Sequence, residues 1–347
     1  MISFLDDSFS QLNEYIDRTN PSLLLLLVDE NTHEYCLPTV LANLETTIPF
    51  EIIEIEAGEE GKNIGTAAQL WEILSEFGTD RNALMINIGG GVITDMGGFV
   101  ASTYKRGIKF INIPTTLLSM VDASIGGKTG IDHQFYKNII GTFALPEKIF
   151  AYPKFLQTLP FTELRSGFAE MLKHGLIASD QHWNNLKQLE LKPENIEPFV
   201  VDSMNIKQYV VEQDFKEQNL RKTLNFGHTI GHAIESLFLQ QEAPVPHGEA
   251  VAAGMIMEAH LSYSNQLIDE ATLAEITNAI TAIYPYLSID NFSHEDIYNL
   301  MLNDKKNSNG IIKFSIIDKI GHCLYDYEVA KSQTETAIRY YKEAYKS

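Results

Sequence analysis

Arg221-Lys-Thr-Leu-Asn225-Phe-Gly-His228-Thr-Ile-Gly-His232 crowds a cation, a carboxamide and two imidazoles into one short stretch, and His247-Gly-Glu249 follows soon after. Read as one helix, positions 221, 225, 228 and 232 fall at i, i+4, i+7 and i+11 and share a face. A face that packs on a core carries Leu or Ile at this spacing; this one carries Arg, Asn, His and His. Burying such groups without partners costs on the order of several kcal/mol, so the face lines a polar cavity or holds a metal. Two histidines at i, i+4 can share one Zn²⁺, with a carboxylate or a third histidine completing the site. The competing reading is a pair of capped or surface histidines. The His-Glu-x-x-His pattern of metalloproteases does not fit, because position 229 is Thr.

Other polar residues stand where strands give way to helices. In Gly89-Gly90-Gly91-Val92-Ile93-Thr94-Asp95-Met-Gly97-Gly98 the glycines let backbone N–H groups approach a phosphate, and the helix that follows favours negative charge there. The segment matches neither Gly-x-Gly-x-x-Gly nor the Walker pattern; a dinucleotide site is preferred over a bare tight turn. Pro114-Thr115-Thr116 places hydroxyls at the carboxyl end of a strand, to face a ligand or to cap a helix. Asp122-Ala-Ser-Ile-Gly126-Gly127-Lys128-Thr-Gly130, then Lys137-Asn138, reads as a glycine-rich loop that wraps an anion, against a solvated surface loop; Arg106 could add a cation. In Ser166-Gly-Phe-Ala-Glu170-Met-Leu-Lys173-His174, Glu170 and Lys173 share a helix face. They form an internal ion pair or a metal-ligand carboxylate beside a substrate-binding lysine. Glu170 with His228 and His247 would make a Glu/His/His set with an open position, as catalytic zinc sites have.

The elements that must position these residues fall in two classes. Apolar runs predict strands over 23–28, 50–55, 83–88 and 108–113, with a helix over 63–76. Strands alternating with helices imply βαβ units and a doubly wound sheet. From about Thr162 the signals are helical, over 162–177, 196–215, 223–239, 248–264, 269–283 and from Thr334, with a late strand over 311–317. The expected architecture is therefore a Rossmann-like α/β domain over 1–160 and a mostly α-helical domain over 161–347.

The chain has 347 residues, a formal net charge of -20 and a pI of about 4.8. That balance argues against nonspecific nucleic-acid binding, which needs clustered Lys and Arg, but allows a local cation cluster to hold an anionic substrate. Cys36 and Cys323 are far apart, which gives no disulfide framework and points to a reducing, cytoplasmic setting. The first residues lack a basic region and a long apolar core, so no signal peptide is expected. The longest apolar run, 23–28, is too short to span a bilayer.

Taken together these motifs resemble the 3-dehydroquinate synthase family, from about Leu23 to about Phe314. Gly-Gly-Gly-Val-x-x-Asp, Pro-Thr-Thr, Asp-Ala-Ser-x-Gly-Gly-Lys, Phe-Ala-Glu-x-x-Lys and Asn-Phe-Gly-His-x-x-Gly-His occur in the family's order. The resemblance implies that Glu170, His228 and His247 hold the metal, zinc with cobalt as the alternative, and that His232 serves the substrate. It implies NAD binding by Gly91, Val92, Ile93, Thr94 and Asp95, by Thr115, Thr116, Lys128 and Lys137, by Phe155, Leu156, Gln157 and Thr158, and by Gly58, Glu59 and Lys62. Ala57 and Gly61 stand where the family often has Asp and Tyr. Substrate contacts are implied for Asp122, Lys128, Asn138, Lys173, Lys207, Arg221, Asn225 and His232, and for one of Lys305 and Lys306. Arg106 resembles an arginine that reaches the neighbour's phosphate in a homodimer. The implied reaction converts the sugar phosphate 3-deoxy-D-arabino-heptulosonate 7-phosphate to 3-dehydroquinate and phosphate. It proceeds by transient oxidation, elimination, reduction and an intramolecular aldol closure.

Three rivals are weighed against it. A sibling sugar-phosphate cyclase, such as a 2-deoxy-scyllo-inosose or valiolone-type synthase, would share fold, nucleotide and metal; Asn138, Lys207, Arg221 and Asn225 match the dehydroquinate pattern instead. A metal-dependent polyol dehydrogenase is disfavoured by the cation-rich 122–138 segment. A nucleotide-sensing binding protein is disfavoured by the complete Glu/His/His set.

Overall fold

A computed structural model of the chain describes residues 1–134, 136–302 and 312–346. It divides into two compact units, Met1–Pro160 and Phe161–Ser347.

The first unit is built in chain order from β1 (Ile2–Phe4), α1 (Ser10–Thr19), β2 (Leu24–Asp29), α2 (Glu30–Tyr35), α3 (Leu37–Asn43), β3 (Phe50–Ile55), α4 (Ile64–Glu76), β4 (Leu84–Gly89), α5 (Gly91–Thr103), β5 (Lys109–Pro114), β6 (Lys128–His133), β7 (Tyr136–Phe143) and β8 (Ile149–Ala151). One parallel sheet runs in the order β1-β8-β5-β4-β2-β3. Its inner strands β2 and β4 are buried almost end to end and mostly apolar, with Asn87 of β4 an exception, as expected where helices cover both faces. Ile93, Met96 and Val100 of α5 pack with Leu25 and Leu27 of β2, Met85 of β4 and Ile131 of β6 in one core. β1 pairs with β8, Ile2 opposite Ile149, and each has only three residues. Such short strands carry no readable periodicity.

The segment read as a glycine-rich loop is instead largely a hairpin. Residues 119–123 form a single π-helical turn, and β6 then pairs antiparallel with β7, Gly130 opposite Gly141. The hydroxyls of Thr129 and Thr142 lie 2.7 Å apart across it. Close packing accounts for Gly130, where a Cβ would lie 2.8 Å from the Ile140 carbonyl oxygen, and for its partner Gly141, where one would lie 2.2 Å from the Thr129 carbonyl oxygen, while Gly126 and Gly127 take positive φ.

The second unit comprises α6 (Phe161–Ala178), α7 (Asp180–Leu186), α8 (Pro193–Gln213), α9 (His228–Gln240), α10 (His247–Ser264), α11 (Glu270–Thr281), α12 (His294–Leu302), β9 (Lys313–Lys319), β10 (His322–Glu328) and α13 (Lys331–Ala344). α10 is its axis. From Ala250 to Ser262 it is buried on every face, packed by α6, α9, α11, α13 and the β9–β10 hairpin.

The single helix read across 221–232 does not form. Leu220–Asn225 is a 3-10 turn, Gly227 takes a left-handed conformation (φ 78°), and α9 starts at His228. Arg221 and Asn225 therefore do not share a helix face with His228 and His232. The break follows from Gly227, whose positive φ an L side chain rarely adopts. No described helix is long and apolar enough to cross a membrane.

Candidate active-site elements and metal centre

In the first unit, β4 ends at Gly89 and α5 begins at Gly91 with Gly90 between them, so Gly90 and Gly91 lie at a helix N-terminus without a side-chain cap. The N–H of Thr115 donates to the Gly89 carbonyl at 3.0 Å, and Ser119 Oγ donates to the same oxygen at 3.2 Å. The hydroxyls of Thr116 and Ser119 are 3.1 Å apart. These bonds hold the Pro-Thr-Thr turn against the glycine turn. Val92, Ile93, Thr94 and Asp95 form the first turns of α5. Asp95 accepts from the buried Lys62 ammonium at 2.8 Å, and Glu59 lies 3.6 Å from the same nitrogen. Burial opposes the charge on Lys62, but Asp95 and then Glu59 outweigh it and push its pKa up. The glycine turn and the Gly58–Lys62 loop are thus joined by a charged bond inside this unit.

Asp122 sits in the π turn, near the Ser124 carbonyl that accepts from the buried Asn112 amide at 3.3 Å. Lys128 opens β6 and is exposed, as are Lys137 and Asn138 on β7. Asn138 has a positive φ of 50°, and its N–H donates to Asp132 at 2.6 Å. In the 3-10 turn Pro153–Thr158, Phe155 and Leu156 are buried while Gln157 and Thr158 are exposed. Arg106 is exposed, with φ 68°, just after α5.

In the second unit three helices bring their polar residues to one place. Glu170 lies mid-way along α6, His228 and His232 in the first turns of α9, and His247 at the start of α10. Glu170 is fully buried, with Oε1 3.4 Å from His228 Nε2 and 3.7 Å from His247 Nε2. Its other oxygen pairs with the Lys173 ammonium, one helical turn on and equally buried. Among the described residues the Glu170 oxygens have no hydrogen-bond partner of good geometry, only these ion-pair contacts. Ring nitrogens of His228, His232 and His247 lie within 4.8 Å of one another. The His228 and His232 rings meet edge to face at 5.0 Å.

The outer bonds decide which nitrogens face inward. His228 Nδ1 is 3.0 Å from the Phe226 carbonyl and must donate to it, leaving the Nε2 lone pair toward Glu170. His247 Nδ1 is 3.3 Å from Glu235, which leaves Nε2 inward as well. Both imidazoles are held as metal-binding histidines are, by an outer acceptor on the far nitrogen. Burial opposes ionisation of Glu170, yet Lys173 and then His228 hold its carboxyl well below the usual range. Burial, then Lys173, pulls His228 down, so its ring is neutral and ready to ligate. Burial also works against the charged form of His247, but Glu235 overrides it and pushes the pKa up to about 10, so its inward Nε2 carries a proton that a metal must displace on binding. A buried anionic oxygen and two inward imidazole nitrogens are the donor set of a divalent transition metal, and the residues fit one.

Lys207 is buried on α8. Arg221 is buried too, its Nη1 donating to the Phe215 carbonyl at 2.7 Å and its N–H to Asp214 at 3.1 Å. The Asn225 amide donates to Glu217 at 2.8 Å. Lys305 and Lys306 lie outside the described residues. Sequence reasoning missed Glu235 and Glu258. Glu235 is seven residues past His228 on α9, a same-face spacing that could have been noticed. Glu258 interrupts the apolar run of α10; it is fully buried and accepts from the N–H groups of Gly227 at 2.6 Å and Ile230 at 3.1 Å.

Known proteins resemble this chain over nearly all of its length. Residues 52–166 match the model of the 3-dehydroquinate synthase N-terminal domain and residues 167–307 that of its C-terminal domain. A 3-dehydroquinate synthase of Parabacteroides distasonis is 40% identical over 98% of this chain and 97% of its own length. Among solved structures, the 2-epi-5-epi-valiolone synthase of Streptomyces hygroscopicus with NAD⁺ and Zn²⁺ superposes with a TM-score of 0.85 at 24% identity, covering 99% of this chain and 96% of that one. A 2-deoxy-scyllo-inosose synthase with carbaglucose-6-phosphate, NAD⁺ and Co²⁺ gives 0.83 at 23% identity, covering 98% and 96%. At these identities the two structures speak for the fold, while the family models and the relative speak for descent: the chain belongs to the 3-dehydroquinate synthase family.

Proposed function

We propose that the protein converts 3-deoxy-D-arabino-heptulosonate 7-phosphate to 3-dehydroquinate and inorganic phosphate, in the biosynthesis of chorismate and aromatic amino acids. The observation that carries this is the buried Glu170 carboxylate facing the Nε2 atoms of His228 and His247 in a chain of this family. We assign those three residues as metal ligands, for zinc or cobalt, and His232 to the substrate side of the same cluster. NAD is assigned to the first unit, at Gly91–Asp95, Thr115, Thr116, Lys128, Lys137, the 155–158 turn and the Gly58–Lys62 loop. When bound, NAD supplies a reversible hydride acceptor and the metal a Lewis acid for the reacting oxygens.

The protein's own groups do the rest. Lys173 keeps Glu170 ionised in a dry setting and presents a cation to an anionic substrate. Lys207 and Arg221 are buried cations suited to carboxylate and phosphate. The Arg221 guanidinium is held by the Phe215 carbonyl and its backbone N–H by Asp214, and the Asn225 amide is held by Glu217, so both are oriented before substrate arrives. Asp122, Lys128, Asn138 and Arg106 are assigned further contacts to the sugar phosphate. The anionic leaving phosphate can itself accept the proton during elimination, so no strong protein base is required at that step. A cytoplasmic homodimer is the proposed working form.

Phosphate release from the heptulosonate phosphate, with and without a chelator, tests the reading. Chelator-sensitive release without accumulation of NADH, and dehydroquinate as product, is expected. Net NADH formation would favour a polyol dehydrogenase. Absence of release by metal-loaded protein would favour a cyclase with another sugar phosphate.

A further inference from the structure

We propose that Glu258 is a positioning residue of the metal centre: it acts on His228 through the single peptide group that joins Phe226 to Gly227. The inference rests on the metal reading above.

The carbonyl of Phe226 and the N–H of Gly227 are two ends of one peptide. The carbonyl end accepts from His228 Nδ1 at 3.0 Å. The N–H end donates to Glu258 at 2.6 Å. The chain of contacts therefore runs carboxylate, peptide, imidazole, and ends at His228 Nε2, 3.4 Å from Glu170. A carboxylate drawing on the N–H polarises the peptide and makes its carbonyl a stronger acceptor. That strengthens the bond from Nδ1–H, fixes the ring plane, and raises electron density at the inward nitrogen. Outer partners of metal-binding histidines act in this way when they touch the ring directly. His247 has such a direct partner in Glu235; His228 has Glu258 one peptide removed.

The peptide has little room to adopt another pose. Val251, Gly254, Met255 and Glu258 follow at i, i+3, i+4 and i+7, so one face of α10 seats the turn. A Cβ on Gly254 would lie 1.9 Å from the Gly227 carbonyl oxygen, and one on Gly227 would lie 2.5 Å from Met255. The other Glu258 oxygen accepts from Ile230 at 3.1 Å, so the charge sits at the N-terminus of α9, where the helix dipole favours it. α10 thus carries one ligand at its own start and sets the ring of another three turns later.

A purely structural helix cap would affect stability alone, so zinc affinity separates the two roles. Metal-free wild type, E258Q and H228A are titrated with zinc against a chromophoric chelator, and NAD affinity is measured on each as a control for the rest of the chain. Wild type should take up one tight zinc per chain. Gln keeps the shape but turns an N–H donor toward a backbone N–H, and E258Q should bind zinc roughly 10- to 100-fold more weakly with NAD affinity unchanged. Folded E258Q with wild-type zinc affinity overturns the proposal. If E258Q does not fold, NMR on the wild type decides: zinc should move the Gly227 amide proton downfield together with the His228 ring signals. An unmoved Gly227 amide overturns it. Failure of wild type to take up zinc would overturn the ligand assignment itself, and this inference with it.

Discussion

At the residue scale, the centre is made by what surrounds each group rather than by the group alone. His228 is pulled down by burial and Lys173, while His247 is pushed up by Glu235. His228→Ala should remove bound zinc and phosphate release together, read by metal analysis and a phosphate assay; a variant that retains stoichiometric zinc contradicts the assignment. His182 of α7 offers a separate test away from the centre. It is buried, its Nε2 2.8 Å from Ser203 Oγ, and burial lowers its pKa to about 4. The folded state therefore takes up this proton later than the unfolded state. The stabilisation is complete above the ordinary histidine value and is lost as pH falls from about 6.5 toward 4. By pH 5 the loss should be about 2 kcal/mol, and His182→Gln should flatten that part of the pH dependence in denaturant titrations. Glu170, His228 and His247 were legible from residue type and motif order. Glu258 was not, because one acid in an apolar helix says nothing of which backbone it will cap.

At the scale of elements, the helices that carry Glu170, His228 and His247 touch through backbone. A Cβ on Gly248 would lie 2.1 Å from the Ser166 carbonyl of α6, and Gly254 meets the turn before α9 still more closely. Gly254→Ala should force α10 from α9, costing about 1–3 kcal/mol and weakening zinc binding; calorimetry and metal titration would show both, and an unchanged melting temperature would refute the contact. Long periodic helices were readable to within a few residues, α6 and α10 among them, as were strands β2, β3, β4 and β5. The 221–232 helix was misread because spacing cannot reveal a break that Gly227 makes, and the β6–β7 hairpin because glycines needed for close packing look like those of a loose loop. β1 and β8 are too short to leave a pattern.

At the scale of the whole molecule, an acidic protein with a net charge of -20 is assigned an anionic substrate. Buried Lys173, Lys207 and Arg221 make this workable, since local cations act where water does not screen them. The rest of the charge is self-repulsion, which salt relieves. Raising NaCl from about 10 to 300 mM should raise the melting temperature by a few degrees; no rise would mean the acids are already compensated locally. The sheet order has a consequence in time. Among the described residues β1 pairs only with β8, which is made near the end of the first unit. On the ribosome the opening strand must wait, unpaired, while the intervening chain is synthesised. Nascent chains stopped before Ala151 should remain protease-sensitive at their first residues, and those extended well past it should not.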